Sequence, residues 1–249
     1  MDKFVYLLQN SFQKFVLLLF PCFLFLLSEP GFGESLSQQK AKIPPKKEKK
    51  KPIKPLTLDE LIDKRDGKVE MGEGKDELKV EFPELEDVEL GFLKGNKKIV
   101  SLTIFNGSKI TDKGAVYIQT YTNLSSLSIN HSKITNKGLV NLKSLVKLQD
   151  LVLTDSKITD EGLPILLSVK NLKRLDLSTT KLKSPSLRTL QKLPELEELN
   201  LGDTHIDDKS LEHIKLFPKL KIFSLRNTEV SINAIQKLEK ELTNIKFHY

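Results

Sequence analysis

The sequence predicts an α/β solenoid, with a curved parallel sheet on its concave face and short helices on its convex face. Two observations predict it. A phrase recurs every 24 residues, as LSSLSINHSKIT at 124, LQDLVLTDSKIT at 148, LKRLDLSTTKLK at 172, LEELNLGDTHID at 196 and LKIFSLRNTEVS at 220. Each copy is also one supersecondary unit that cannot bury its own apolar face, so neighbouring copies must stack.

The elements follow in order from the N-terminus. Phe15 to Ser28 is an uncharged apolar run directly preceded by Lys14. As a helix it spans about 21 Å at roughly 1.5 Å per residue, short of the ~30 Å hydrocarbon core. Residues 1–33 therefore read as a signal peptide with cleavage between Ser28 and Glu34, the alternative being an uncleaved N-terminal anchor. Cys22, the single cysteine, lies inside this run and not at its end, so a lipid attachment is not expected there. With the signal removed the chain has no thiol for disulfides, catalysis or metal binding.

The chain carries a net charge of +7, and its location decides what it means. Residues 34–56 hold eight lysines and two glutamates, a net +6 within a Pro/Lys tract too polar to pack. The remainder is almost neutral. A nucleic-acid partner is therefore not expected, and the tract reads as a disordered linker that spaces the domain from a surface or touches an anionic one.

Residues 57–84 read as a lead-in. Thr57 and Glu60 have capping-box spacing, which predicts a helix over about 58–64. Asp66 to Val80 is charged and glycine-bearing and reads as loop. Residues 85–249 form the repeat domain, with Leu85, Val88 and Leu90 suggesting an atypical first strand.

Within the repeats the first, fourth and sixth positions are apolar, as in Leu148, Leu151 and Leu153. The last two alternate with polar residues, which predicts a short strand with one buried face. The eleventh position (Ile134, Ile158, Leu182, Ile206, Val230) turns the chain back over the core. Asp112, Asn136, Asp160, Ser184 and Asp208 follow as expected helix caps. A column of small residues comes next (Gly114, Gly138, Gly162, Ser186, Ser210, Ala234), where the helix passes close to its neighbours. Leu139, Leu142 and Leu145 and their equivalents continue the inward face at helical spacing. Each copy thus buries about seven side chains, each worth roughly 1.5 to 3 kcal/mol before chain entropy. The first copy has one extra residue between Ile104 and Ile110, and Leu242, Ile245 and Phe247 suggest a last strand with an open edge.

The pattern L-x-x-L-x-L-x-x-[ST]-x-I-[TD]-[DN]-x-G-L, from Ile99 to Tyr249, resembles the leucine-rich-repeat family, in its bacterial form with threonine or serine at the ninth position. The family's ninth-position Asn or Cys bonds backbone groups of adjacent turns. Here Ser108, Ser132, Ser156, Thr180, Thr204 and Thr228 stand there, and the resemblance implies that their hydroxyls do the same.

The resemblance also implies ligand binding on the concave face, through the third, fifth and seventh positions. From Leu124 onward these positions carry no Tyr, Trp or Phe to anchor a partner. They do align Asp150, Arg174 and Glu198 in one row, and the second position aligns Lys173, Glu197 and Lys221. Such rows either neutralise themselves or recognise a partner. The recognition reading centres on Asp150, Arg174, Asp176, Glu198, Asn200 and Arg226. On the helical side, Tyr117 and Ile165 suggest a small apolar patch. His131, His205, His213 and His248 occupy unrelated positions without metal-ligand spacing, although His131 and Asp155 share the eighth column. No catalytic group, cofactor or metal is expected. The sequence reads as an exported binding module, a monomer whose partner is a protein or an envelope glycan, at the cell surface, in the periplasm or secreted. The alternatives are a tethered structural envelope protein and a secreted host-directed effector.

Overall fold

The computed structural model describes residues 54–249, so the apolar run, Cys22 and nearly all of the basic tract lie outside the described residues. Helix α1 (Leu58–Arg65) is closed by a capping box in which Thr57 Oγ1 accepts from Glu60 N at 3.2 Å and Glu60 Oε2 accepts from Thr57 N at 2.8 Å. A nine-stranded sheet follows, its strands side by side in chain order. They are β1 (Lys68–Met71), β2 (Leu78–Glu86), β3 (Ile99–Lys109), β4 (Ser126–Ile129), β5 (Asp150–Val152), β6 (Arg174–Asp176), β7 (Glu198–Asn200), β8 (Ile222–Ser224) and β9 (Lys246–His248).

Every neighbouring pair is parallel except β1 and β2, which form an antiparallel hairpin. The charged segment expected as loop is therefore the start of the sheet. Its Lys79, Val80, Glu81 and Phe82 alternate, and Val80 and Phe82 are buried on the core side. The expected strand at Leu85, Val88 and Leu90 does not form. Leu85 closes β2, while Val88 and Leu90 lie in helix α2 (Asp87–Phe92), because apolar residues three and five apart fit a helix turn as well as a strand.

The apolar columns meet in one continuous core. In the copy beginning at Leu148, the side chains of Leu148, Leu151, Leu153, Ile158, Leu163, Leu166 and Val169 are all buried. At the far end Phe247 pairs with Phe223, ring centroids 6.3 Å apart, and so takes the fourth position of its turn rather than the sixth. The 24-residue step from Ile222 to Lys246 sets this register, overriding the leucine-like spacing of Leu242, Ile245 and Phe247.

The helical side is held by a bond the sequence places one residue off. Helices α3 (Asp112–Ile118) and α4 (Asn136–Leu139) are capped by Thr111 and Thr135, whose hydroxyls accept from Lys113 N and Lys137 N. The aspartates expected as caps stand inside the first turn and reach the next copy. Asp112 Oδ1 accepts from Thr135 N at 2.8 Å and Asp112 Oδ2 from Thr135 Oγ1 at 2.7 Å. Asp87 holds Thr111 in the same way at 2.7 Å twice, and Asp208 holds Ser231 at 2.7 and 2.8 Å. Asn136 clamps Thr159 at 3.0 Å through Oδ1 while its Nδ2 donates to Thr159 Oγ1 at 2.7 Å.

The small column exists for this clamp. A Cβ on Gly138 would stand 2.6 Å from Asp112 Oδ1, and one on Gly114 or Gly162 would overlap the carboxamide or carboxylate oxygen of Asn136 or Asp87. The clamp weakens where its parts change. Asp160 accepts only the backbone N–H of Lys183 at 3.2 Å, because a lysine stands where Thr111, Thr135, Thr159 and Ser231 carry a hydroxyl, and burial pushes its carboxyl above the ordinary range.

One further detail departs from the sequence reading, and another was not read from it. The ninth-position hydroxyls of Thr180, Thr204 and Thr228 donate to the carbonyl three residues earlier in their own turn, not to an adjacent turn. The eighth position is left-handed throughout: His131, Asp155, Thr179, Asp203 and Asn227 have φ of 50–57°. Asp, Asn and His tolerate that region, whereas the β-branched Thr179 is strained in it. In the first copy the extra residue replaces this bend, and β3 runs on to Lys109, with Gly107 N donating to Asn130 O at 2.7 Å.

An ion cluster ties the N-terminal cap to the first turns. Glu89 is buried, and its Oε1 accepts from Arg65 Nε at 2.9 Å and Lys64 Nζ at 3.0 Å, while Oε2 accepts from Glu86 N at 2.9 Å. Arg65 also pairs with Glu84 at 3.1 Å and Glu86 at 3.3 Å. Burial raises the Glu89 pKa, but the hydrogen bonds from Arg65, from Glu86 N–H and from Lys64 outweigh it and hold the carboxyl below 4.5.

Two outcomes are expected. Gly162→Ala should destabilise the domain by about 1–3 kcal/mol despite alanine's better helix propensity. In an Asn136→Ala background the same change should be much milder, a coupling that urea melts of the double-mutant cycle measure. Glu89→Gln should cost about 3 kcal/mol at neutral pH, since it strips the charge facing Arg65. A carboxyl with a depressed folded pKa stabilises fully above its unfolded value and loses that contribution as pH falls through the folded one. The gap between native and Glu89→Gln melting temperatures should therefore close below pH 4.5.

Candidate functional site

The concave surface is a set of straight rows, because parallel pairing keeps equal repeat positions side by side. The third-position row runs Lys79, Ser101, Ser126, Asp150, Arg174, Glu198, Ile222, Lys246. The fifth-position row runs Glu81, Thr103, Ser128, Val152, Asp176, Asn200, Ser224, His248. The rows divide the surface into two halves of different chemistry.

The C-terminal half is largely satisfied by its own pairs. Arg174 Nε lies 2.9 Å from Glu198 Oε2 and 4.0 Å from Asp150 Oδ1. Lys221 Nζ bonds Glu197 at 2.6 Å, and Lys219 bonds Glu195 at 2.6 Å. The Lys221 hydrogen bond, outweighing slight burial, holds the Glu197 carboxyl below its usual range. Asp176 accepts from Ser178 N at 2.9 Å, Ser178 Oγ at 2.6 Å, Asn200 Nδ2 at 2.7 Å and Thr154 Oγ1 at 3.3 Å. Asn200 Oδ1 accepts from Gly202 N at 3.0 Å. Asp176 and Asn200 thus shape the turns that leave their strands. Arg226 is exposed and forms no ion pair among the described residues. The six residues singled out in the sequence fall into an ion-paired row, a turn-forming pair and one free cation.

The N-terminal half is different. Ser101, Thr103, Ser126, Ser128 and Val152 make a floor without charge, and Phe105 stands on it at the seventh position of the first copy, 51% exposed. The concave face therefore does carry an aromatic anchor. The sequence reading missed it by aligning the face from Leu124, although Phe105 follows Ile104 in phase with Asn130.

The hairpin turn between β1 and β2 roofs the edge of this floor. Gly72 N donates to Glu77 O at 2.8 Å and Gly74 N to Glu77 Oε2 at 2.9 Å, which folds residues 72–77 into a compact tip. A cavity of about 420 Å³ opens onto the floor between Glu73, Glu77, Lys79, Ser101, Ser126 and Asp150. A second of about 550 Å³ lies on the outer side, among Lys75, Lys97, Lys98, Asn123, Lys147 and Asn171. The two share Glu77, Val100, Ser125 and Gln149 and so form one groove, acidic at its inner end and basic at its mouth. Of the six sequence candidates, Asp150 alone lines it.

The histidines form pairs and nothing larger. His131 Nδ1 lies 3.0 Å from Asp155 and His205 Nδ1 2.8 Å from Glu229, both exposed. Among the described residues no three His, Cys, Asp or Glu side chains converge as a metal site would require. Tyr117 and Ile165 pack partly into the core, and Tyr117 covers Gly91, so the apolar patch expected of them does not form.

Stacked parallel strands on one face and short helices on the other, repeated every 24 residues, define a leucine-rich-repeat solenoid. Family models described as leucine rich repeat match residues 147–206 and 122–143. These matches, which cover about a third of the chain, support a leucine-rich-repeat family for the repeat region. No curated protein matches it in sequence. Among solved structures, an internalin of Listeria monocytogenes shares 21% identity over 66% of this chain and 44% of its own, with a TM-score of 0.52. The likeness is one of fold, and this chain spans less than half of that internalin. Internalin C2 of the same organism shares 24% identity over 59% of this chain and 61% of its own, TM-score 0.46. A leucine-rich-repeat protein of Leptospira interrogans shares 22% identity over 65% of this chain and 39% of its own, TM-score 0.45.

The Arg174 row is exposed, so its ion pairs are worth little individually. Arg174→Ala should lower stability by about 0.5 kcal/mol at low salt, an effect that fades as salt rises. Arg174→Glu, which lines up three acids, should cost about 1 kcal/mol more. Thermal melts at two ionic strengths check both.

Proposed function

We propose that this chain is an exported binding module that takes a protein partner on the N-terminal half of its concave face. The observation that carries the reading is the exposed Phe105 on an uncharged floor of serines and threonines. An aromatic ring offers a large contact area at low entropic cost, and small hydroxyl side chains adapt their hydrogen bonds to a partner's backbone. The leucine-rich-repeat fold supports a protein-interaction role in general. Export rests on the apolar run at 15–28. Among the described residues no helix is long and apolar enough to cross a membrane. The paired charges of the C-terminal half serve solubility and register.

A photo-crosslinking residue at Ser128, on the floor, should capture a protein in intact cells, whereas one at Arg188, on the helical face, should not. Capture from Arg188 alone overturns the site. Phe105→Ala should weaken the captured interaction by about 1–3 kcal/mol with the melting temperature unchanged. In the same cells, mass spectrometry should find the N-terminus between Ser28 and Glu34, and the domain should be open to added proteinase. An intact Met1 in a proteinase-shielded membrane fraction would favour the tethered structural role instead.

A further inference from the structure

We propose that one edge of the solenoid is a second binding surface, for a linear anionic polysaccharide with one carboxylate per sugar. The observation is a contrast within the molecule. Where charged rows cross the sheet elsewhere, sign alternates and neighbours pair: Asp150, Arg174 and Glu198 do so, as do Glu197 with Lys221 and Glu195 with Lys219. At the tenth repeat position the rule is broken. Lys133, Lys157 and Lys181 follow one another on successive turns, all exposed. The backbone fixes the first two, since Lys133 N donates to Ile110 O and Lys157 N to Ile134 O, each at 2.8 Å, and Lys181 follows at the same repeat position one turn on.

Like charges on facing strands repel. Lys183 adds to this edge two residues on, and Lys113 and Lys137 add from the short helices that begin there. Lys113, Lys133, Lys137, Lys181 and Lys183 form no ion pair among the described residues. The acids facing the row are few. Asp155 stands 3.9 Å from Lys157 but is already held by His131 at 3.0 Å, Glu161 follows Lys137 on the helical side, and Asp160 is spent on Lys183 N. The row is bounded at both ends, by Lys109 paired with Glu84 and Glu86 and by His205 paired with Glu229. With Asp112 held on Thr135, the stretch of about four turns thus carries six lysines (113, 133, 137, 157, 181, 183) against four acids (112, 155, 160, 161), a net positive edge.

The kind of anion follows from spacing and neighbours. Adjacent turns are about 4.8 Å apart, close to the length of one sugar unit in an extended chain, so the pitch of the lysine row matches the charge pitch of a polyuronate. Val116 and Val140 are 47% and 48% exposed and stand one helical turn beyond Lys113 and Lys137 on the same helix faces. They offer an apolar strip for the C–H face of sugar rings. A single-stranded nucleic acid would call for aromatic stacking there instead.

The test uses the full chain, with polygalacturonate as the probe and single-stranded DNA and phosphatidylglycerol vesicles as competitors of other classes. Lys133→Gln, Lys157→Gln and Lys181→Gln together should flatten the plot of log affinity against log salt by roughly two to three, as lost ionic contacts do. A control triple, Lys143→Gln, Lys170→Gln and Lys192→Gln, removes equal charge elsewhere, keeps the lysine-rich 34–56 segment, and should change little. Equal loss in both triples, or tighter stripe-dependent binding of DNA or vesicles, overturns the proposal. Melting temperatures matching the native chain show that either triple is folded. The concave-face reading is read by crosslinking from Ser128 and stands or falls separately.

Discussion

Backbone pairing alone leaves the helical side of this solenoid loose. The strands lie side by side through their own N–H and C=O groups, but the helices begin with unpaired N–H groups, and short helices are marginal by themselves. Asp87, Asp112, Asn136 and Asp208 supply the missing connection by holding the backbone N–H and hydroxyl of the next copy's cap at 2.7 to 3.0 Å. Each clamp fixes the entry of one helix relative to the one before it. Behind three of these clamps stand Gly114, Gly138 and Gly162, where a Cβ would crowd the clamping oxygen, while the Asp208 clamp has the small Ala234 there. Two columns that look independent in the sequence are therefore one device, and the spacing between them is what keeps the period at 24.

The same strict register decides what the concave face can be. Since equal positions must become neighbours, a substitution in one copy is read against the copies on either side. Charges placed in a row are viable when they alternate, and from Asp150 to Glu198 they do, at the price of being occupied with one another. Binding capacity is consequently greatest where the rows hold no charge, between β3 and β5. The tenth-position lysines are the exception to alternation, and for that reason they stand out as a surface and not as a scaffold.

Much of this was legible from periodicity. The core columns, the strand and helix faces, the Thr57 capping box, the small column and the Asp150–Arg174–Glu198 row follow from spacing alone. What escaped follows from three physical ambiguities. Asp is a good cap and also a good clamp, so composition could not tell Thr111 from Asp112 as the N-cap. A charged strand such as Lys79 to Phe82 alternates too briefly to outweigh its charge, so the hairpin passed for loop. A hydroxyl has several acceptors within reach, and Thr180, Thr204 and Thr228 chose their own turn. Phe105 was within reach of the sequence, since it follows Ile104 in phase with Asn130, and the face was aligned only from Leu124 onward.

The hairpin and its ion cluster link stability to the site. A first repeat has one face without a neighbour, and the chain covers it with α1, the hairpin and the buried Glu89, which Arg65 and Lys64 neutralise. Arg65 fastens α1 to β2 and α2 at once, through Glu84, Glu86 and Glu89. The antiparallel turn at 72–77 is not needed to close the core, since its residues are largely exposed. It walls the groove at the start of the strands, beside Ser101 and Ser126. One element thus ends the stack and gives the sheet its only half suited to a guest, so the cap's rigidity sets how well the groove is preorganised.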